Sequence, residues 1–494
     1  MMALRAPRSA PPWATLVVCC VGQFMVILDV TIVNVALPQM RHDLGLSVNA
    51  QEWVVNAYTL AFAGFLMLGG RAADLWGRRR IFLIGLAVFT ASSLTGGLAA
   101  SGLWLITARA VQGLGAAMLA PATLSLLTSR FTDPRERRKA LSALSTTSAS
   151  GAAVGVLAGG ILTGLLSWRW VLFVNIPIGI AVIVLTLLAV SEPRVDGPRA
   201  QLDILGAVTV TLGFTFLLYG IVGTDTHPWT SLQTVIPLAL GGVLLAAFVL
   251  AETRVVKAPL IPFSVFKRRS LTVANGVTTT IGAANFGGYF FLSLYLQQVN
   301  GYPPLRAGLA FLPIGLSAFT GSLISHRLVD RIGARNQLIL GTGIAAAGLI
   351  WIAVTLTPVV AYLSTLLGPL VLFGGGIGMS FGAMAMAATH GVPAHQAGLA
   401  SGLLNTTRQV GGATGLAVMA TAASSLTHGL SGSHSSAAAL TAGYRLAFLI
   451  AGLGLAAGML LAFALPTAAQ ERRHELRVPA TAPAGTPSST DQRA

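Results

Sequence analysis

Three charged residues lie well inside long apolar stretches of the sequence, namely Asp29, Arg109 and Arg408. Charged side chains are costly in a hydrocarbon environment, so each of them is a candidate functional group. A carboxylate that is desolvated and paired with a guanidinium can accept a proton from one side of a barrier and release it to the other. Asp29 and Arg109 are therefore candidates for coupled proton transfer. The alternative is a structural carboxylate that is paired once and never titrates.

Asp29 and Arg109 are predicted to lie at the same depth. Asp29 is seven residues from the end of the first apolar run, and Arg109 is seven residues into the fourth. At about 1.5 Å per residue both side chains lie roughly 10 Å below one surface, which permits an ion pair. Arg109, Gln112 and Gly113 share one helix face, which should point to the protein interior because lipid does not tolerate a guanidinium. A structural lock is the alternative role for Arg109.

These charges matter because the rest of the chain is strongly apolar. Of its 494 residues only 9% are Asp, Glu, Lys or Arg, whereas 54% are apolar, and the mean hydropathy is +0.75. A soluble globular domain has roughly 25% charged residues, so the composition excludes that class, and it also excludes a disordered chain. Such a chain needs a lipid bilayer as its solvent.

Fourteen apolar runs approach the roughly 20 residues that a helix needs to cross a bilayer. The predicted fold class is an all-α integral membrane protein with 14 transmembrane helices and both termini in the cytoplasm. In this orientation 25 of the 31 basic residues fall in cytoplasmic tails and loops, which is typical of membrane proteins. The net charge of +16 thus serves orientation and contact with anionic membrane lipid, and no nucleic-acid partner is predicted. The runs are 14–36, 53–71, 81–100, 102–126, 141–166, 170–190, 204–222, 234–252, 271–296, 306–326, 337–356, 361–388, 397–424 and 443–465.

A short pattern occurs twice in matched loops. Asp74-Leu-Trp-Gly77-Arg78-Arg79 follows the second run, and Asp330-Arg-Ile-Gly333-Ala-Arg335 follows the tenth. Each follows the second helix of a block of six, which predicts two homologous six-helix bundles with a helix pair inserted between them; chance is the alternative. The predicted organisation is a cytoplasmic N-terminus (1–13), an N-terminal bundle (14–190), a linker with inserted helices 7 and 8 (191–270), a C-terminal bundle (271–465) and a disordered cytoplasmic tail (466–494).

Four motifs make the chain similar to a known family. They are Leu28-Asp29-Val-Thr31-Ile-Val-Asn34-Val-Ala-Leu-Pro38, Gly70-Arg-Ala-Ala-Asp74-Leu-Trp-Gly77-Arg78, Arg109-Ala-Val-Gln112-Gly113, and Trp168-Arg169-Trp170 through Asn175-Ile-Pro177. Over residues 14–465 the sequence resembles the major facilitator superfamily, and within it the fourteen-span drug:proton antiporters of the EmrB/QacA type. The antiporter motif of that family is imperfect here, because Val156 stands where the family has proline. Its glycines are present at Gly151, Gly155, Gly159 and Gly160.

The resemblance implies roles for these residues. Asp29 and Arg109, with Gln112 and Gly113 beside them, would couple transport to protons. The repeated loops would control the cytoplasmic gate through Gly70, Asp74, Gly77, Arg78, Asp330, Gly333 and Arg335. The antiporter glycines would form a sealed rocking interface between the two bundles. The spacing of Gly151, Gly155 and Gly159, taken alone, indicates plain close packing of helices.

The substrate is expected to bind in a central cavity. The C-terminal bundle has no embedded carboxylate that could pair with Arg408, which favours a neutral, zwitterionic, anionic or singly charged substrate. A structural role, in which Arg408 binds helix carbonyls, is the alternative. Candidate cavity residues are polar groups in or at the ends of apolar runs, namely Asn34, Asn56, Tyr58, Gln298 and Arg408.

The sequence indicates no catalytic or cofactor site. Gly378-Met-Ser380-Phe-Gly382 has the spacing of a hydrolase nucleophile motif, but it lies in a predicted membrane helix. His390 and His395 do not share a helix face, so no metal site is predicted. The sequence also lacks the phosphate-binding pattern Gly-x-x-x-x-Gly-Lys-Ser/Thr, so ATP is not expected to drive transport by that route.

The sequence therefore predicts a transporter and not an enzyme, without a cofactor and driven by the proton gradient. The predicted function is efflux of small amphipathic drugs or antibiotics by alternating access, carried out by a monomer in the plasma membrane. The alternative is an exporter or facilitator of an endogenous metabolite. The preference for Arg over Lys, with abundant Ala and Gly, indicates a high-GC bacterium.

Overall fold

The computed structural model describes residues 12–190, 203–224, 227–256, 259–260, 263–359, 361–389, 397–430 and 435–466. All regular secondary structure in these residues is helical. A 3-10 turn (Phe263–Lys267) precedes α10, and a π-helical turn (Tyr295–Val299) extends it. The helices in chain order are α1 (Pro12–Leu44), α2 (Val48–Trp76), α3 (Arg78–Gly97), α4 (Gly102–Arg130), α5 (Pro134–Leu165), α6 (Trp170–Phe173), α7 (Asn175–Ala189), α8 (Ile204–Gly223), α9 (Leu232–Arg254), α10 (Arg269–Leu294), α11 (Pro304–Ala310), α12 (Leu312–Thr355), α13 (Tyr362–Thr365), α14 (Leu367–Thr389), α15 (Ala397–Leu430) and α16 (Ser436–Ala462).

Several predicted segments lie outside the described residues. They include residues 1–11, most of the linker before α8, and the predicted tail from residue 467 onward. His390 and His395 also lie outside them, and the side chain of Asp330 is not described.

Polar caps set where several helices begin. The Ser47 side chain accepts a hydrogen bond from a backbone N–H in the first turn of α2, and Ser101 does the same for α4. Asp133 accepts from two backbone N–H groups of α5, and Pro134 occupies the first position of that helix. These caps supply the partners that a helix start lacks, so the helices begin at short polar loops of the sequence.

The fourteen apolar runs all coincide with helices, but not all of these helices are strongly apolar. Within the described residues twelve helices are long and apolar enough to cross a membrane. The predicted count of fourteen is therefore not reproduced by length and hydropathy alone. Two predicted spans are not among these twelve. α10 contains several Thr and Asn residues, and in α5 only Ala153–Leu165 forms an uninterrupted described stretch, because several side chains up to residue 152 are not described.

The helices pack as two bundles with a pair between them. In the first bundle α1 packs against α5, and α4 packs against both α2 and α3. In the second bundle α10 packs against α15, and α14 packs against α12, which is two helices joined by a bend at Gly333. The inserted helices α8 and α9 pack against each other, and α8 also contacts α2 and α15. The inserted pair therefore touches both bundles.

Two features recur at matching places in the bundles. Gly77 and Gly333 have positive φ angles of 103° and 80° where two successive helices meet. Other residues rarely adopt such angles, so both loops need their glycine.

At the opposite end Arg169 binds carbonyls at the C-terminus of α3, and Arg445 binds carbonyls at the C-terminus of α12. The negative ends of these helices explain why both arginines are stable on the side predicted to have few basic residues.

The two bundles meet where α2 packs against α15 and, on the side that the predicted topology places outside, where α1 and α5 pack against the second bundle. Gly160 of α5 lies against the backbone of Pro304 at the start of α11. Ser293 of α10 donates a hydrogen bond to the carbonyl of Asn34 in α1. We call this contact of α1 and α5 with α10 and α11 the outer seam.

Candidate functional site

Asp29 of α1 is fully buried at the centre of a polar network inside the first bundle. Its Oδ2 accepts a hydrogen bond from Nη1 of Arg109 in α4 at 2.5 Å, so the two residues form an ion pair. Its Oδ1 accepts from Nε2 of Gln112 at 2.8 Å and from Nδ2 of Asn175 in α7 at 2.9 Å. The ion pair expected from equal depths is therefore present, and three donors hold the carboxylate.

Arg109 is also bound on its other sides. Its Nη1 donates to Oε1 of Gln112 at 2.6 Å, and its Nε donates to the carbonyl of Val54 in α2 at 3.2 Å. The guanidinium carbon lies 4.4 Å from the centre of the Tyr58 ring, which is a cation–π contact. A Cβ on Gly113 would collide with the carbonyl of Tyr58, so this glycine lets α4 approach α2. The face of α4 predicted to point inward does so.

Ser93 of α3 and Asn175 of α7 complete the network, and the sequence did not assign a role to either. The Oγ of Ser93 accepts from Nε2 of Gln112 at 2.7 Å and from Nδ2 of Asn175 at 3.3 Å. Asn175 belongs to one of the four family motifs, and this membership is the feature of the sequence that could have identified it. Oδ1 of Asn175 and the hydroxyl of Tyr58 are buried and have no hydrogen-bond partner among the described residues. The network therefore retains an unused acceptor and an unused donor.

Asp29 connects α1 to two other helices. A carboxylate only accepts hydrogen bonds, and three donors point at its two oxygens. The carboxylate is also the counter-charge of the buried guanidinium of Arg109. Because these donors lie on α4 and α7, Asp29 holds α1 to both helices.

The loop between α2 and α3 connects several helices through its arginines. Nη2 of Arg78 lies 4.0 Å from Oδ1 of Asp74, and its Nη1 donates to the carbonyl of Ser125 in α4. Arg79 donates to two carbonyls at the end of α7. The Asp74 side chain is about half exposed, and such an ion pair contributes at most about 1 kcal/mol. A weak pair of this kind can open and close during a conformational change.

The other residues predicted at the cytoplasmic gate have less specific surroundings. A Cβ on Gly70 would lie 3.4 Å from Cβ of Pro121, which is an ordinary contact. In the matching loop of the second bundle, the guanidinium of Arg335 lies 5.8 Å from the centre of the Phe463 ring. A pair equivalent to that of Asp74 and Arg78 is not described, because the side chain of Asp330 is outside the described part.

Three glycines of α5 pack inside the first bundle. Gly151, Gly155 and Gly159 all face α1, and a Cβ on Gly155 would lie 2.9 Å from the carbonyl oxygen of Leu28. Real Cβ atoms do not approach other atoms so closely. The stripe therefore allows close packing next to Asp29, and it does not face the second bundle.

Gly160 faces the second bundle instead. Its Cβ would lie 2.7 Å from the carbonyl oxygen of Pro304 and 3.3 Å from Cα of Gly308. A Cβ on Gly308 would in turn lie 2.9 Å from the carbonyl oxygen of Val156. Of the four motif glycines, Gly160 is thus the one that lies in the outer seam. The residue in place of the family's proline, Val156, also contributes its backbone there.

Three predicted cavity residues are bound within their own bundle. Tyr58 lies against Arg109, and Nδ2 of Asn34 donates to a carbonyl of its own helix at 2.8 Å. Oε1 of Gln298 accepts a hydrogen bond from the hydroxyl of Tyr444 in α16 at 2.9 Å. The structure therefore does not bring these three side chains together.

The other two cavity candidates differ in burial. Asn56 is fully buried in α2, and its amide has no hydrogen-bond partner in the part of the chain that is described. Arg408 is partly exposed, and its Nη2 donates to Oδ1 of Asn405 at 3.0 Å. Arg408, the one charged residue among the five candidates, is therefore not fully buried.

The chain is similar to known transport proteins in sequence and in fold. A sequence model of the Major Facilitator Superfamily matches residues 19–416. A cephamycin export protein of Amycolatopsis lactamdurans is 44% identical over 86% of this chain and 88% of its own length. A puromycin resistance protein of Streptomyces alboniger is 40% identical over 91% of this chain and 89% of its own length. A solved structure of a bacterial homologue of the human lysosomal transporter Spinster, in an inward-facing and occupied conformation, has a TM-score of 0.66 at 17% identity, over 92% of this chain and 97% of that one.

Proposed function

The chain belongs to the major facilitator superfamily and is a multi-pass membrane protein, and from this we propose that it exports small amphipathic drugs or antibiotics in exchange for protons. Its relatives include a cephamycin export protein and a puromycin resistance protein. The observation that carries proton exchange is the buried carboxylate of Asp29, whose two oxygens are held by three donors. Members of this superfamily are transporters, so no catalytic reaction is proposed.

Proton exchange at Asp29 acts through its contacts with α4 and α7. While Asp29 is charged, its ion pair with Arg109 holds α1 against α4. A proton from outside neutralises Asp29, weakens this contact and allows the first bundle to rearrange, and its release to the cytoplasm restores the pair. Drug and proton then favour different arrangements of the same bundle, which is the thermodynamic condition for exchange.

The proposed topology has fourteen spans, including α5 and α10. α5 lies along α1 from Gly151 to Gly159, a length of about 12 Å. α10 lies along α15, where a Cβ on Gly411 would meet the backbone of Thr279. Helices packed between others need less apolar surface than helices that face lipid, so their polar residues are compatible with crossing. An even number of spans, with basic loops inside, places both termini in the cytoplasm.

Alternating access in this proposal is a rocking of the two bundles about the central cavity. The outer seam is closed in the structure, which supports an arrangement that opens toward the cytoplasm. The repeated loops at Gly77 and Gly333 lie at the cytoplasmic ends of the bundles in the proposed topology. We assign the inner gate to them, with Asp74 and Arg78 as the pair that forms and breaks.

Drug export is tested by expression in a sensitive bacterium that lacks its own efflux pumps. Resistance to puromycin and to a cephamycin should rise severalfold, and a protonophore should restore drug accumulation. In inside-out vesicles, addition of an exported drug should release protons from the acidified lumen. Unchanged sensitivity to both drugs, together with no drug-dependent proton movement, would leave the metabolite exporter or facilitator as the better assignment.

A further inference from the structure

Arg408 lies deep in the second bundle, and no counter-charge for it is found in the part of the chain that is described. Its described polar partner is Asn405, one turn earlier on α15, and it forms no ion pair among the described residues. Arg109, by contrast, is paired with Asp29, and Arg169 binds helix carbonyls. An uncompensated guanidinium inside a membrane protein is costly, so its presence indicates a function.

The second bundle cannot easily supply the missing negative charge. Between residues 269 and 466 the sequence contains a single acidic residue, Asp330, which lies next to the bend of α12. Arg408 lies eleven residues into α15, about 16 Å from the start of that helix. A counter-charge for Arg408 must therefore come from elsewhere, and a bound anion would provide it.

The surroundings of Arg408 suit a planar anion. The guanidinium carbon lies 5.6 Å from the centre of the Phe381 ring in α14, and Asn405 is exposed. The preceding residue, Thr407, donates to Oδ1 of Asn275 in α10 at 2.8 Å, which fixes α15 against that helix. A guanidinium, an amide and an aromatic ring thus converge on an accessible position.

We propose that Arg408, Asn405 and Phe381 form a subsite for the carboxylate of a planar anionic or zwitterionic substrate, an assignment that rests on the proposed export function. A guanidinium binds a carboxylate through two parallel hydrogen bonds, and the Asn405 amide can add a third donor. The Phe381 ring provides an apolar face for the rest of the substrate. Without substrate, Oδ1 of Asn405 holds the guanidinium in place.

Binding of two probes that differ by one carboxylate tests the subsite. Fluorescein and its methyl ester are titrated against the full-length protein in lipid nanodiscs, and fluorescence anisotropy is measured. The wild-type protein should bind the acid with a dissociation constant about tenfold lower than that of the ester, because one charge-assisted hydrogen bond changes an affinity by about tenfold. Arg408→Gln should make the two affinities equal, and Arg408→Lys, which keeps the charge, should keep part of the preference. Asn405→Asp, which supplies a competing carboxylate, should also remove it.

Several outcomes would overturn the subsite. They are equal affinity of the wild-type protein for acid and ester, no saturable binding of the acid, and a preference that survives both Arg408→Gln and Asn405→Asp. Thermal unfolding of each variant shows whether it is folded. If Arg408→Gln does not fold, the binding preference of Asn405→Asp decides between the outcomes. The assay needs no proton gradient, so a failure of proton-driven export leaves its result unaffected.

A second, independent observation concerns Pro38 in α1. Proline has no N–H, so the carbonyl of Asn34, four residues earlier, lacks its intrahelical hydrogen bond. A buried carbonyl needs a partner. Across the outer seam, Oγ of Ser293 donates to this carbonyl at 2.7 Å. The second bundle therefore completes the hydrogen bonding of a helix in the first.

Gln297 reinforces this contact from the π-helical turn that follows α10. Its Nε2 donates to the carbonyl of Val35 at 3.0 Å and to Oγ of Ser293 at 3.0 Å. Ser293 is fully buried, so water does not compete with it while the outer seam is closed.

From this observation we infer that Pro38, Ser293 and Gln297 form a latch that holds the outer seam closed. Opening separates Ser293 from the Asn34 carbonyl, and water must then replace it. The strength of the latch thus biases the ratio of outward-closed to outward-open protein. Asp29 lies nine residues before Pro38 on the same helix, so the latch holds the helix that carries the proton.

Two alanine substitutions, alone and combined, test the latch. Ser293→Ala should shift the full-length protein toward the outward-open state by about tenfold, because it leaves the Asn34 carbonyl without a donor in the closed state. In a Pro38→Ala background the alanine N–H can donate to that carbonyl, so the same change should have an effect below about threefold. The difference between the two backgrounds is the signature of the latch.

Spin-label distances report the opening. Labels are placed at His42→Cys and Val359→Cys, both exposed at the outer ends of the bundles, after Cys19 and Cys20 are replaced by alanine. Ser317→Ala is the control, because this buried hydroxyl donates to its own helix and its loss should leave the distances unchanged. An equal shift in both backgrounds, or no shift with Ser293→Ala, would overturn the latch.

Discussion

Asp29→Asn is expected to abolish proton-driven export while drug binding remains. Asparagine keeps the shape of the side chain, but it cannot take up and release a proton at neutral pH. Puromycin uptake into inside-out vesicles with an imposed proton gradient should fall by about a hundredfold or more, the scale of effect of a positioned proton acceptor. Puromycin binding measured without a gradient should persist, because Asp29 faces Arg109, Gln112 and Asn175 and not an open cavity.

The same substitution also removes the counter-charge of Arg109. Breaking a buried pair by removing one partner costs about 3–5 kcal/mol, so Asp29→Asn should lower the thermal unfolding temperature. Asp29→Asn combined with Arg109→Gln removes both charges, and this double variant should recover much of the stability. It should not recover proton-driven export. Recovery of the fold without recovery of coupling would separate the structural role of Asp29 from its role in proton exchange.

Asp43→Asn provides a matched control on the same helix. Oδ2 of Asp43 accepts a hydrogen bond from the indole N–H of Trp168 at 2.9 Å, and an asparagine oxygen can accept it equally well. Export by this variant should remain close to wild type and should keep its dependence on the proton gradient. Undiminished gradient-driven export by Asp29→Asn would show that another group carries the proton, and the structural alternative for Asp29 would then hold.

Depth along a helix is the part of the site that the sequence predicts. Counting residues from the ends of two apolar runs places Asp29 and Arg109 at one level, and they are in contact. This works because every α-helix has the same rise per residue. The number of spans is less predictable from hydropathy, because a helix such as α10 lies against other helices. Its Thr and Asn residues lower its hydropathy, although the helix is as long as a membrane span.

The partners of a side chain across helices are not predictable in the same way, because they depend on helix rotation and on tertiary packing. Ser93 joins the network from α3 although its local sequence carries no distinguishing pattern. Gln298 is polar and ends an apolar run, but it binds Tyr444 of its own bundle. Gly160 has the same residue type as the three glycines before it in the motif, and yet it faces the other bundle.

That difference in direction predicts a second large effect, at Gly160. Gly160→Val should prevent closure of the outer seam, because a Cβ at this position lies 2.7 Å from the carbonyl oxygen of Pro304 and 3.1 Å from Cα of Leu305. Overpacking of this kind costs about 1–3 kcal/mol, and here the cost falls on the closed state alone. The protein should stay folded with the outer side open, and export should fall by about tenfold or more. Spin labels at the outer ends and drug uptake into vesicles measure the two effects.

Gly164, one turn later on α5, offers the matched control. A Cβ there would lie 3.6 Å from the backbone nitrogen of Leu305, an ordinary contact distance, so Gly164→Ala should leave export nearly unchanged whereas Gly160→Ala should already reduce it. Gly155→Ala should behave differently from both. Its Cβ presses on Leu28 inside the first bundle, so it should lower thermal stability and disturb Asp29 without selectively opening the outer side. If Gly160→Val closes normally, or if Gly164→Ala opens the seam equally, Gly160 does not control closure, and the bundles must rock about a different contact.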